Sequence, residues 1–178
     1  MTVTEVTANF KIVTDLSSSI NIAVGGLTTD MSLTTITAMS VTVVKDFGTI
    51  ITDITGFITN MDGTVFNAET DAEAIVTVLN TVSYSLWHRR DVVALIHIYT
   101  HGIFAQFFVT APIAAVLASL EKIIDTFAYA LINMIPTKQM QVTSGQTTLD
   151  EKVTSAISVY SEFCIPVPLV GLVCTPPQ

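Results

Sequence analysis

The chain has 178 residues, a formal net charge of -8 at pH 7, 50% hydrophobic residues and only 12% charged ones. That length fits one domain around one core, and the apolar fraction excludes intrinsic disorder. Seven Lys and Arg face fifteen Asp and Glu, and the basic residues cluster only at Arg89-Arg90, so nothing is present to follow a phosphate backbone and nucleic acid is excluded as a partner.

The apolar positions advance by three or four along most of the chain, which is the helical period. Val6, Phe10, Val13, Ser17, Ile20, Val24 and Leu27 define the first face, weakened at its end by Gly25-Gly26. After Asp30, a candidate cap, a second stripe follows Leu33, Ile36, Ser40, Val43, Phe47, Ile50, Ile54 and Phe57, a helix of about 28 residues and about 42 Å. Its other positions are largely threonine, a mediocre helix former, so burial of the stripe must hold it.

A turn at Asn60-Met61-Asp62-Gly63 leads to a third helix, with Asp71 and Glu73 in its first turn and a face of Ala72, Ile75, Leu79, Val82 and Leu86. It is expected to continue toward His101, with Gly102 as its cap. Residues 92–120 contain no Asp, Glu, Lys or Arg and are long enough to cross a bilayer. His97, His101, Gly102 and Gln106 interrupt that run, and Thr110-Ala111-Pro112 reads as a fresh helix start, so no transmembrane insertion is expected.

The fourth helix carries Ile113, Val116, Leu120, Ile123, Phe127, Leu131 and Met134 until Pro136 stops it. Residues 138–146 read as a polar loop. Thr148-Leu149-Asp150-Glu151 is a candidate capping box for a fifth helix through Val153, Ala156, Ile157 and Tyr160. Residues 1–163 thus form an all-α bundle of about five helices, and residues 164–178 a proline-rich tail that is not helical. Cys164 and Cys174 in that tail are spaced to close a small disulfide loop.

Little here suggests catalysis. The Gly-x-Ser-x-Gly elbow of hydrolases is absent, so the chain is read as a non-enzyme that needs no cofactor. His97 and His101 have the i,i+4 spacing of two metal ligands, yet no carboxylate lies between 92 and 120, and the reading is that the chain holds no metal. Ser17 and Ser40 each interrupt an apolar stripe. A buried hydroxyl needs a partner, and the competing partners are a carbonyl one turn earlier on the same helix or a polar group of a ligand.

Two segments carry a family resemblance: TAPIAAVLASLEKIIDTFAYALINMIPT at residues 110–137 and DAEAIVTVLNTV at 71–82. In them the chain resembles the fungal cell-wall mannoproteins related to hydrophobic surface binding protein A, over about residues 6–161. The Ser119-Leu120-Glu121, Asp125-Thr126-Phe127 and Ile135-Pro136 steps recur in order; the tail with its two cysteines departs from the family pattern. The resemblance implies a secreted, extracellular or cell-wall protein whose bundle encloses an apolar cavity and sequesters a long-chain fatty acid or similar apolar molecule. In that reading Ser17 and Ser40 hold the carboxylate, and Phe47, Ile50, Ile54, Leu79, Val116, Leu120, Ile123 and Phe127 form the wall, unless those side chains close on one another as a solid core. The alternative function is a surface-active structural protein that adsorbs to hydrophobic surfaces and recruits secreted enzymes.

Overall fold

The structure, a computed structural model, describes residues 1–28, 30–87, 100–167 and 171–175. Its helices are α1 (Val3–Gly25), α2 (Leu33–Met61), α3 (Glu69–Trp87), α4 (His101–Gln106), α5 (Thr110–Met134) and α6 (Gln139–Tyr160), followed by strands β1 (Phe163–Val167) and β2 (Gly171–Thr175). A single 3-10 turn, Pro136–Lys138, joins α5 to α6.

Local chemistry sets the helix starts. Thr2 and Glu5 form a reciprocal capping box at α1, which satisfies two orphan N-H groups at once. Ser32, and not Asp30, caps α2 by accepting from the Thr35 N-H; Asp30 is instead hydrogen-bonded to Thr28. Gly63, at φ +70°, supplies the left-handed residue of the turn after α2. Among the described residues, no helix is long and apolar enough to cross a membrane.

The expected loop at 138–146 and helix start at Thr148 are corrected: both belong to α6, one helix of 22 residues. Lys138 explains the early start. Its side chain is 9% exposed and its Nζ donates to Glu69 at 2.5 Å and also to Glu73, which ties the foot of α6 to α3. Val142 is fully buried beneath that tie, and the Thr148 hydroxyl donates back to the Ser144 carbonyl as a mid-helix residue does. Gly102 lies inside α4 and does not end it; the expected continuation of α3 from residue 88 to 99 lies outside the described residues.

The long helices close a ring. α1 packs on α2, α2 on α5, α5 on α6, α6 on α3, and α3 returns to α1. Their inner faces form two separate buried clusters. One gathers Ile36, Val43, Ile50, Ile54, Phe104, Leu117, Leu120, Ile124 and Val153; the other gathers Val6, Phe10, Phe57, Ile75, Leu131, Met134 and Val142.

The tail folds back as a β-hairpin. β1 and β2 pair antiparallel with Cys164 opposite Cys174, and a disulfide of 2.05 Å joins them. Pro166 is tolerated because a two-stranded ribbon has only edge strands. The hairpin rests on α4, where His101 is buried edge-on to the Tyr160 ring, with Nε2 4.0 Å from the Cys164 Sγ.

Candidate functional site: an apolar cavity inside the helix ring

The two buried clusters do not merge, and a cavity of 90 Å³ lies where they would meet. All five ring helices line it. α1 contributes Phe10, Val13 and Ser17; α2 contributes Phe47, Ile50, Ile54 and Phe57; α3 contributes Leu79. α5 adds Leu120, Ile124, Phe127, Ala128 and Leu131, and α6 adds Val142, Gly145, Gln146 and Leu149. The rings of Phe10, Phe57 and Phe127 meet there pairwise at 5.4 to 5.6 Å between centroids, the first two edge-on.

Seven of the residues singled out from sequence line this cavity: Ser17, Phe47, Ile50, Ile54, Leu79, Leu120 and Phe127. Ser40, Val116 and Ile123 do not. Ser40 is buried, but its hydroxyl donates to the Thr37 carbonyl at 2.8 Å. On α5 the stripe turns through Leu117 and Ile124 in place of Val116 and Ile123. A step of three and a step of four are both helical, and only packing against α2 and α6 selects between them.

Sequence reading missed the α6 wall altogether. Val142, Gly145 and Gln146 fell in the supposed loop, because a face with one strong apolar residue in its first two turns has little periodicity to detect. A Cβ built on Gly145 would meet nothing within 4 Å, so the cavity wall is open at that point.

Two polar side chains belong to the lining, and their hydrogen bonds are partly committed. The Ser17 Oγ-H donates to the Val13 carbonyl at 2.7 Å. The Gln146 Nε2 donates to Asp125 Oδ1 at 2.8 Å. Behind Gln146, Asp150 is hydrogen-bonded to Asp125, and its Oδ1 is buried without a hydrogen-bond partner among the described residues. Burial, with the charges of Asp125 and Glu121, raises the Asp150 pKa above the usual carboxylate range.

Of the two histidines at i,i+4 spacing, which the sequence reading did not take as a metal site, His97 lies outside the described residues. His101, Glu162 and Cys164 place one ligand-type atom each within 4.8 Å of the others, but the Cys164 sulfur is committed to its disulfide. Burial lowers the His101 pKa, partly offset by Glu162.

No protein-family model matches the sequence, and no curated protein matches it. Two solved structures share the architecture. AfMP4p in complex with palmitic acid superposes with a TM-score of 0.71 at 15% identity, over 89% of this chain and 99% of that one. Ligand binding domain 1 of the Penicillium marneffei MP1 protein, complexed with arachidonic acids, superposes at 0.66 and 11% identity, over 86% and 95%. This chain has their fold. At such identities the likeness speaks for the helical architecture, and the cavity must be argued from this chain's own side chains.

Proposed function

We propose that the chain is a non-enzymatic carrier that takes a long-chain fatty acid, or a similar single acyl chain, into the cavity of the helix ring. The observation that carries this reading is the gap between the two clusters, walled by five helices and almost wholly apolar. That both fold neighbours are complexes with fatty acids supports it. A secreted, cell-wall-type protein of the mannoprotein kind is the setting we infer from the sequence resemblance and from those neighbours.

Burying a sixteen-carbon chain gains about 0.8 kcal/mol per methylene, roughly 12 kcal/mol before ordering costs. Micromolar affinity needs about 8 kcal/mol, so apolar contact suffices. The cavity is smaller than the roughly 150 Å³ that admits a benzene ring, so uptake must widen the ring. Phe10, Phe57 and Phe127, whose packing ends at the cavity edge, are the side chains placed to move. Lipid-stripped protein titrated with a fluorescent fatty acid should saturate at one site; uptake that never saturates would defeat the carrier reading.

A second reading has its own observation. On the outer face of α2 the exposed Thr42, Thr52, Thr55 and Thr59 donate their hydroxyls to carbonyls four residues back. Such a face sheds water at lower cost than a charged one, which suits a structural protein that adsorbs to hydrophobic surfaces.

A further inference from the structure

Every ligand the cavity receives must meet its two polar side chains and the charges behind them. Ser17 has spent its only hydroxyl hydrogen on the Val13 carbonyl, so its oxygen can only accept. Gln146 has turned its amide nitrogen to Asp125, which fixes the orientation of the group because an ionised carboxylate only accepts; Oε1 and one N-H are left for a ligand. The free hydrogen-bonding positions are therefore mostly acceptors. A carboxylate, itself only an acceptor, matches them poorly.

The charges point the same way. On the seam between α5 and α6, three lining residues are each followed by an acidic one: Leu120 by Glu121, Ile124 by Asp125 and Leu149 by Asp150. Burial, and then the charges of Asp125 and Glu121, oppose the ionisation of Asp150. No Lys, Arg or His is among the described lining residues. Gln146 holds the Asp125 carboxylate at 2.8 Å, so an anionic head group brought to Gln146 meets a like charge.

We propose that the cavity selects acyl chains with an uncharged, hydrogen-donating head, such as a long-chain alcohol, over the ionised fatty acid, with Gln146 receiving the head and Asp125, Asp150 and Glu121 rejecting the carboxylate. This rests on the carrier reading above and deepens it. The hydroxyl of an alcohol can donate to Gln146 Oε1 or Ser17 Oγ and accept the remaining N-H, whereas a methyl ester can only accept and a carboxylate is repelled as well.

The test uses the whole chain, stripped of lipid, with the neutral fluorophore N-phenyl-1-naphthylamine bound in the cavity. At pH 8, dodecan-1-ol, methyl dodecanoate and dodecanoate are compared as displacers below their aggregation limits. The alcohol should act at about tenfold lower concentration than the carboxylate, as two or three anionic neighbours at partly screened distances would cause, with the ester between them. Asn at both 125 and 150 (Asp125→Asn with Asp150→Asn) should narrow the gap between alcohol and carboxylate while preserving the bond to Gln146. Gln146→Leu should weaken the alcohol more than the ester, because the alcohol loses an acceptor and a donor whereas the ester loses only the remaining N-H. Dodecanoate binding as tightly as the alcohol, or an unchanged gap in the double variant with a native circular dichroism spectrum, would overturn the proposal and leave the carrier reading standing. Failure of all three compounds to displace the probe would overturn both.

Discussion

Asp150 shows how one residue couples the cavity wall to pH. Its pKa is raised in the folded protein, chiefly by burial and then by Asp125 and Glu121. A raised acid pKa means that folding favours the protonated form, so the native state is penalised once pH exceeds the folded value and the penalty is relieved as pH falls through it. Asp150→Asn imitates the protonated side chain. It should melt above the wild type at pH 7 and together with it at pH 3, below the ordinary aspartate value. Thermal melts across that window are the measurement, and a difference that does not depend on pH would show that the Asp150 charge is not the cause. The same position illustrates why a site residue can hide in a sequence: Asp150 lies inside the Thr148-x-x-Glu151 capping-box pattern, and only the continuous helix around it shows that it instead meets Asp125 across the α5–α6 seam.

At the level of elements, the strongest stripes were legible and the weak ones were not. The first two helices and the proline-marked start and stop of α5 follow from the spacing of apolar residues, since their buried faces repeat over five or more turns; the cap of α2 did not, as Ser32 takes the place expected of Asp30. α6 was divided because its first half buries Val142 alone and owes its placement to Lys138, whose acidic partners stand 65 and 69 residues away. No local pattern can announce a partner at that distance. The cavity was legible only as a set of inward positions, among them seven of the ten candidate site residues; that they leave a void in place of a solid core depends on how five helices fit together.

The hairpin is the other element that sequence did not reveal, although its cysteine spacing was suggestive. Its disulfide closes a ten-residue separation, a constraint worth about 3 kcal/mol to the hairpin on loop-closure grounds. His101 is the reporter of whether the hairpin stays docked. Its pKa is lowered mainly by burial, so the packing it makes is fully present above the ordinary histidine value and is lost as pH falls through the folded value. Replacing both cysteines (Cys164→Ser with Cys174→Ser) should free the hairpin from α4, and the His101 pKa should rise toward the ordinary range near 6.5. An NMR titration of the imidazole decides this, and a His101 pKa identical in both proteins would mean that the disulfide does not hold the hairpin in place.

For the whole molecule the question is whether the space between the two clusters is used or is merely imperfect packing, and two substitutions on neighbouring walls separate these possibilities. Gly145 sits mid-helix with open space where a side chain would stand, so Gly145→Ala should stabilise the fold by up to about 1 kcal/mol through helix propensity alone. A leucine there should reach into the cavity and keep most of that gain. Leu120, on the adjoining helix α5, is 6% exposed and already a large side chain within a buried cluster, so Leu120→Trp should cost about 1–3 kcal/mol as an overpacked core does. Both large residues should abolish uptake of a fluorescent fatty acid, one with a raised melting temperature and the other with a lowered one. If Gly145→Leu melts higher than wild type and yet binds the chain with unchanged affinity, the acyl chain does not occupy this cavity. Loss of binding in Gly145→Leu, with binding kept in Gly145→Ala, places the acyl chain in the space that the leucine fills, because the two variants share the gain in helix propensity and differ in the volume they occupy.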